Sequence, residues 1–204
     1  MAGYQRFVGD RHVEHGHHPP VIRPLSMCLA FMVVACSGDD GATTPDASID
    51  ASLDGQAAVT TVFVVRHAET TGVGTDPLLS PAGEARSQQL ATRLANAHIS
   101  AIYTSEYRRT HDTAIATSTA SSVAITERPV AGMDATAYGT ELAALVRSAP
   151  PPQAILIVGH SNTVPETVKA LSGTTITPIA ESEYNRLYTI TLDADGAVVD
   201  ASTY

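Results

Sequence analysis

Cysteine is nearly absent from this chain: two in 204 residues, Cys28 and Cys36, both close to the start. The rest of the sequence therefore has no means of building a disulfide framework or a cysteine-ligated zinc site. Positive charge is scarce as well. Twelve Lys and Arg face 21 Asp and Glu, for a formal net charge of −9. A general nucleic-acid binder needs clustered cations against phosphate, so no nucleic-acid partner is expected. No apolar run approaches the ~20 residues that a helix needs to cross a bilayer. What is present suffices for one folded domain with an appendage: 44% of residues are hydrophobic and 16% charged. In so acidic a chain, an anion site has to be assembled locally from a few arginines.

Residues 25–35, LSMCLAFMVVA, form an apolar run that is preceded by Arg6, Arg11 and Arg23. A basic stretch followed by a short apolar core is the layout of a secretory signal. The run ends VVAC, which resembles a bacterial lipoprotein cleavage box with Cys36 as the lipidated residue; Val33 stands where leucine is usual. The next stretch, SGDDGATTPDASIDASLDGQAA, is rich in Asp, Ser, Ala and Thr and has almost no large apolar side chains. Such a segment cannot bury enough surface to offset its ordering entropy, so a disordered tether is expected. His12, His15, His17 and His18 invite a metal-binding reading, but they lie upstream of the expected cleavage site. The expected organisation is a signal segment over 1–36, an acidic linker over 37–58 and a folded domain over 59–204. The protein would then be exported and held by a lipid anchor on the periplasmic or cell-surface side.

From residue 59 onward, strand and helix signals alternate. TVFVV (61–65) is a β-branched apolar run suited to a strand buried on both faces. Ser80-Pro81 opens a helix, with serine as cap and proline in the first turn. Strands are expected at 99–103, 123–126 and 154–158, and helices at 106–117, 137–146 and 163–171. A closing hairpin is expected over 187–192 and 197–199, across the turn Asp193-Ala194-Asp195-Gly196. This alternation predicts an α/β three-layer sandwich: a mainly parallel central sheet with helices on both faces. Ligands of such sheets bind beyond the C-terminal strand ends. The strongest strands run directly into Arg66-His67 and Gly159-His160.

Those residue types suit phosphoryl transfer. A phosphate ester carries up to two negative charges, which arginine forks match. A neutral imidazole can act as nucleophile in line with the leaving oxygen. Arg66, His67, Arg109 and His160 come from three separate strand ends, and Ser161, Asn162 and Thr163 open a helix whose free amides favour an anion.

The motifs that carry these residues resemble those of the histidine phosphatase superfamily, which includes phosphoglycerate mutases and acid phosphatases. VVRHAET (64–70) resembles its RHG signature, and DPLLSPAG (76–83) its L-T/S-x-x-G helix start. YTSEYRRTHDTA (103–114) is similar to its S-S-x-x-x-R-x-x-x-T-A motif, and VGHSNTVPE (158–166) to its second-histidine motif. The resemblance implies a phosphoglycerate mutase-like fold and a phosphohydrolase with His67 as the phosphorylated nucleophile. It places Arg66, Arg109 and His160 around the phosphate and implies no metal and no cofactor. Ser161, at the start of the helix after His160, is a further candidate contact, with capping of that helix as the alternative reading. The interval between Arg109 and His160 has no room for the long insert of the mutases, which argues for an open cleft and a small-molecule or glycan phosphate. A non-catalytic phosphate-binding module is the competing reading.

The sequence departs from the pattern at Ala68, where glycine is usual, and around Gly72, where an asparagine often follows the signature. The proton donor is not marked by any motif. Asp134 is the preferred general acid, because it follows the third strand in a loop that can fold over the site; Glu127 is second. Glu141 has the spacing of a solvated helix face. Glu69 and Thr70 are expected to order the loop after His67. Glu181, Glu183, Tyr184 and Arg186 are read as structural, with lining of the pocket as the alternative.

Overall fold

The computed structural model describes residues 59–204. The signal segment, Cys36, the N-terminal histidines and the linker lie outside the described residues. The element order is β1 (Thr60–Arg66), α1 (Pro81–Arg93), β2 (Ala101–Thr104), α2 (Arg108–Ser121), β3 (Ile125–Glu127), α3 (Ala135–Ser148), β4 (Gln153–Gly159), α4 (Thr163–Ser172), β5 (Arg186–Asp193) and β6 (Gly196–Thr203).

These strands form one six-stranded sheet in the order β3-β2-β4-β1-β5-β6. The first four are mutually parallel, and β5 and β6 add antiparallel neighbours on the other side of β1. The expected sandwich is therefore the observed one. Side chains alternate between its faces. On one face Val62, Val64, Ile155 and Ile157 pack against Leu142 and Val146 of α3 and Val164 and Val168 of α4. On the other, Val65, Leu156 and Val158 pack against Leu90 of α1 and Ala114 of α2. Both faces of β1 and β4 are covered, which is why these strands are apolar without polar alternation.

Two glycines allow close backbone approach. A Cβ on Gly83 would collide with the carbonyl of Glu69, so the start of α1 lies directly against the signature loop. A Cβ on Gly139 would meet the backbone of Glu166 and Thr167 at 2.7–2.8 Å, so α3 and α4 pack in close contact.

Element ends differ from expectation where side chains take backbone partners. The Glu106 carboxylate accepts from the amides of Val130 and Ala131, and α2 starts later, at Arg108. Asp134 caps α3. The strand β6 runs on to Thr203 because it pairs with β5 along its whole length.

Between β1 and β4 the chain changes direction. The connection leaving β1 passes through α1 on one face, and the connection leaving β4 passes through α4 on the other. A crevice forms where such connections diverge. Arg66 is paired in register with Gly159 at that point.

Candidate active site

His67 and His160 follow the paired ends of β1 and β4, and the His67 amide donates to the Gly159 carbonyl at 2.9 Å. Both rings are largely buried, and their centroids lie 5.5 Å apart. His67 Nδ1 is 2.8 Å from the Ala68 carbonyl. A carbonyl only accepts, so Nδ1 bears the proton and the lone pair is on Nε2. Burial, reinforced by Arg66 and Arg109 and opposed by the Ala68 carbonyl, lowers the His67 pKa to about 4. Burial, together with Arg109, His67 and Arg66, lowers that of His160 to about 3. Both imidazoles are neutral near pH 7, as a nucleophile requires.

The signature loop is held from several sides. The Ala68 amide donates to Thr113 Oγ1 at 2.9 Å, and that hydroxyl donates to the Arg109 carbonyl. The Ala68 methyl is fully buried. Glu69 forms a bidentate pair with Arg86 of α1, at 2.6–2.9 Å. The His160 ring is oriented by Ser105, whose Oγ lies 2.9 Å from Nε2 and 2.9 Å from Thr110 Oγ1.

Arg66 is 4% exposed. Its Nη1 donates to the carbonyls of Ala180, Glu181 and Glu183, and its Nη2 to the Glu181 carboxylate at 2.8 Å. Its guanidinium lies 4.2 Å from the centroid of Tyr184. Arg109 stacks on Tyr107 at 4.3 Å and reaches Asp76 at 3.5 Å. Asp76 also accepts from the Arg108 amide, which anchors the 71–78 loop to the start of α2.

Arg66, His67, Arg109, His160 and Ser161 thus line a single cleft of about 620 Å³. The start of α4 has no side-chain cap bond, so its first amides face no competing acceptor from Asn162. Fixed donors around a neutral histidine can hold a phosphate while the imidazole attacks it.

Residues 62–130 match the family model of the histidine phosphatase superfamily, branch 1. The match supports the superfamily read from the motifs and, with it, the enzyme class, a phosphatase. No curated protein sequence matches the chain. Solved structures share its fold. A mycobacterial glucosyl-3-phosphoglycerate phosphatase is 16% identical with a TM-score of 0.56, over 72% of this chain and 98% of that one. The protein histidine phosphatase SixA complexed with tungstate is 18% identical with a TM-score of 0.57, over 70% and 96%. A phosphoserine phosphatase from Entamoeba histolytica, in complex with 3-phosphoglyceric acid, is 14% identical with a TM-score of 0.54, over 71% and 98%.

The matched stretch ends before the second histidine motif, and the fold brings that motif to Arg66-His67 at the end of β1. It does not bring Asp134 there. The Asp134 carboxylate accepts from the Ala137 amide at 2.7 Å, because a helix start leaves amides in need of an acceptor. Its neighbour Met133 lines the cleft and Asp134 does not. Glu127 is exposed at the end of β3 and is likewise not part of the lining, and Glu141 is exposed on α3. Among the described residues the one carboxylate lining the cleft is that of Glu181, which bonds Arg66 and accepts from Ser161 Oγ at 3.0 Å. The residues of 181–186, for which the sequence favours a structural role over lining the pocket, divide between the two. Glu183 and Arg186 pair with each other at 2.7–2.8 Å, whereas Glu181 and Tyr184 line the cleft. The missed signal was topological: β5 runs antiparallel to β1, so the loop before it returns to the end of β1 that carries His67. Among the described residues no group of three or more His, Cys, Asp or Glu is placed to hold a metal ion.

Proposed function

We propose that this domain is a phosphomonoesterase that works through a phosphohistidine on His67. The observation that carries the reading is the bond between His67 Nδ1 and the Ala68 carbonyl in a neutral ring, which leaves Nε2 as the nucleophile. Nε2 forms a bond to phosphorus as the ester P–O bond breaks and the alcohol departs. Water then attacks phosphorus, the P–N bond breaks, and phosphate and free His67 are regenerated. Arg66, Arg109, Ser161 and His160 hold the phosphate oxygens through the cycle.

The proton for the leaving oxygen is the distinctive point. Asp134 is committed to α3. The Ser161 and Arg66 bonds lower the Glu181 pKa, so in the resting cleft Glu181 is an anion rather than an acid. With no acid preset, the departing oxygen takes its proton from solvent, and turnover tracks leaving-group quality. The same lack of a preset acid favours the second reading, a phosphate-binding module without catalysis. Rapid quenching with an aryl phosphate separates them. The enzyme reading expects phosphate trapped on His67 and lost in His67→Ala; bound phosphate without labelling would establish the binding module.

We also propose export and lipid anchoring at Cys36, supported by the apolar run at 25–35 and the small residue before the cysteine. Cys36→Ser is expected to move the protein out of the membrane fraction; unchanged fractionation would refute the anchor.

A further inference from the structure

We propose that Glu181 makes this cleft select against substrates with a second negative charge, so that its substrates are phosphate monoesters of neutral or cationic alcohols. The proposal rests on the phosphatase reading above and adds the chemical class of the leaving group.

The charge inventory of the cleft leads to it. Among the described residues lining it, the only cations are Arg66 and Arg109. Each already faces a carboxylate, Glu181 at 2.8 Å and Asp76 at 3.5 Å. A bound phosphate brings up to two negative charges and uses both guanidinium groups. No cation then remains for a carboxylate or a second phosphate on the leaving group. Such a group would instead meet the Glu181 anion, together with the phenol ring of Tyr184, that of Tyr107 and the Met133 side chain.

Glu181 is placed to act this way. Its side chain is 83% exposed, at the mouth of the cleft, while its partner Arg66 is 5% exposed at the base. Its backbone cannot drift away, because Arg66 Nη1 is bonded to the carbonyls of Ala180, Glu181 and Glu183. When phosphate displaces the carboxylate from Arg66, Glu181 can rotate but remains on the rim. There it repels an anionic leaving group and attracts a cationic one. Residues 59–204 by themselves are acidic, with 9 Lys and Arg against 14 Asp and Glu, which adds to the same field. Like-charge rejection of this kind is a means of specificity that adds no contact to the favoured substrate. Across several ångströms near the surface, one charge pair shifts kcat/KM on the order of tenfold.

Three small esters of similar size test the proposal: glycerol 3-phosphate, 3-phosphoglycerate and phosphocholine. Their kcat/KM values would be compared for the full-length protein, Glu181→Gln and Glu181→Lys. The wild type is expected to favour glycerol 3-phosphate over 3-phosphoglycerate by about tenfold and to accept phosphocholine at least as well as glycerol 3-phosphate. Glu181→Gln should bring the first ratio close to unity, and Glu181→Lys should invert it. Added salt should narrow the wild-type ratio without any substitution, because the charge is exposed. Equal use of glycerol 3-phosphate and 3-phosphoglycerate by the wild type, or a ratio that neither variant moves, would overturn the charge filter while leaving the phosphatase intact. Failure to turn over any ester, with no label on His67 from an aryl phosphate, would overturn the phosphatase reading and the filter with it.

Discussion

The rings of His67 and His160 meet edge to face, 5.5 Å between centroids, at the ends of strands that pair residue for residue up to Arg66 and Gly159. Two imidazoles this close, both buried and both beside Arg66 and Arg109, cannot readily be charged together. Burial first, and then the two guanidinium groups, keep each ring neutral well below the usual titration range of histidine.

The pH profile should show this. A histidine nucleophile at its ordinary value of 6.5 would lose its lone pair through pH 6; with the pKa lowered to about 4, His67 remains competent. The acid limb of kcat/KM is expected near pH 4, and an acid limb centred near 6.5 would contradict the environment described for His67. Stability follows by linkage. The unfolded chain binds protons at these histidines below about pH 6.5 and the folded chain does not, so stability is complete above that value. It is lost as pH falls toward about 4, and denaturant midpoints at pH 7 and pH 5 would measure the loss.

Arg109 offers charge-assisted bonds to the phosphate, and its guanidinium is already aligned by Tyr107 and Asp76. Arg109→Ala is expected to lower kcat/KM roughly 10- to 150-fold, corresponding to about 1.5–3 kcal/mol. Arg109→Lys should restore only part of that, because an ammonium cannot reproduce the fork or stack on Tyr107. Steady-state kinetics on one aryl phosphate suffice to check both.

Asp134 separates a cap from an acid. Asp134→Ala should cost about 1 kcal/mol of stability by removing the acceptor for the Ala137 amide. The ratio of aryl to alkyl phosphate turnover should not change. If that ratio rises sharply in the variant, Asp134 donates the proton after all.

Gly83 makes a prediction about the signature loop from a distance. In Gly83→Ala the new methyl collides with the Glu69 carbonyl, and α1 has to move away from the loop that follows His67. A loss of about 1–3 kcal/mol is expected, with a fall in kcat larger than that of a control such as Ala85→Ser on the exposed side of α1. Thermal unfolding and kcat measured on the same preparation would show whether the two losses occur together.

Much of the molecule was legible beforehand because local rules are strong where burial is two-sided. The run at 61–65 and the run at 154–158 read as central strands, and Ser80-Pro81 as a helix start, so the strand ends carrying His67 and His160 were located by pattern alone. Arg66, Arg109 and Ser161 were found the same way, and the fold gathers them into one cleft. Glu181, Tyr184 and Ser105 were not legible as site residues. No local pattern says that β5 joins the sheet next to β1 in the opposite direction, which is what returns residues 180–185 to the rim. Nor does the spacing around Asp134 show whether its carboxylate faces a ligand or a helix end.

The sequence by itself determined the sandwich and the strand ends that carry His67 and His160, because periodicity and turn chemistry act over a few residues. The tertiary structure alone decided which carboxylate lines the cleft. That choice depends on how distant segments meet at the divergence of β1 and β4, and on α3 drawing Asp134 to its own unpaired amides while the loop before β5 carries Glu181 to Arg66.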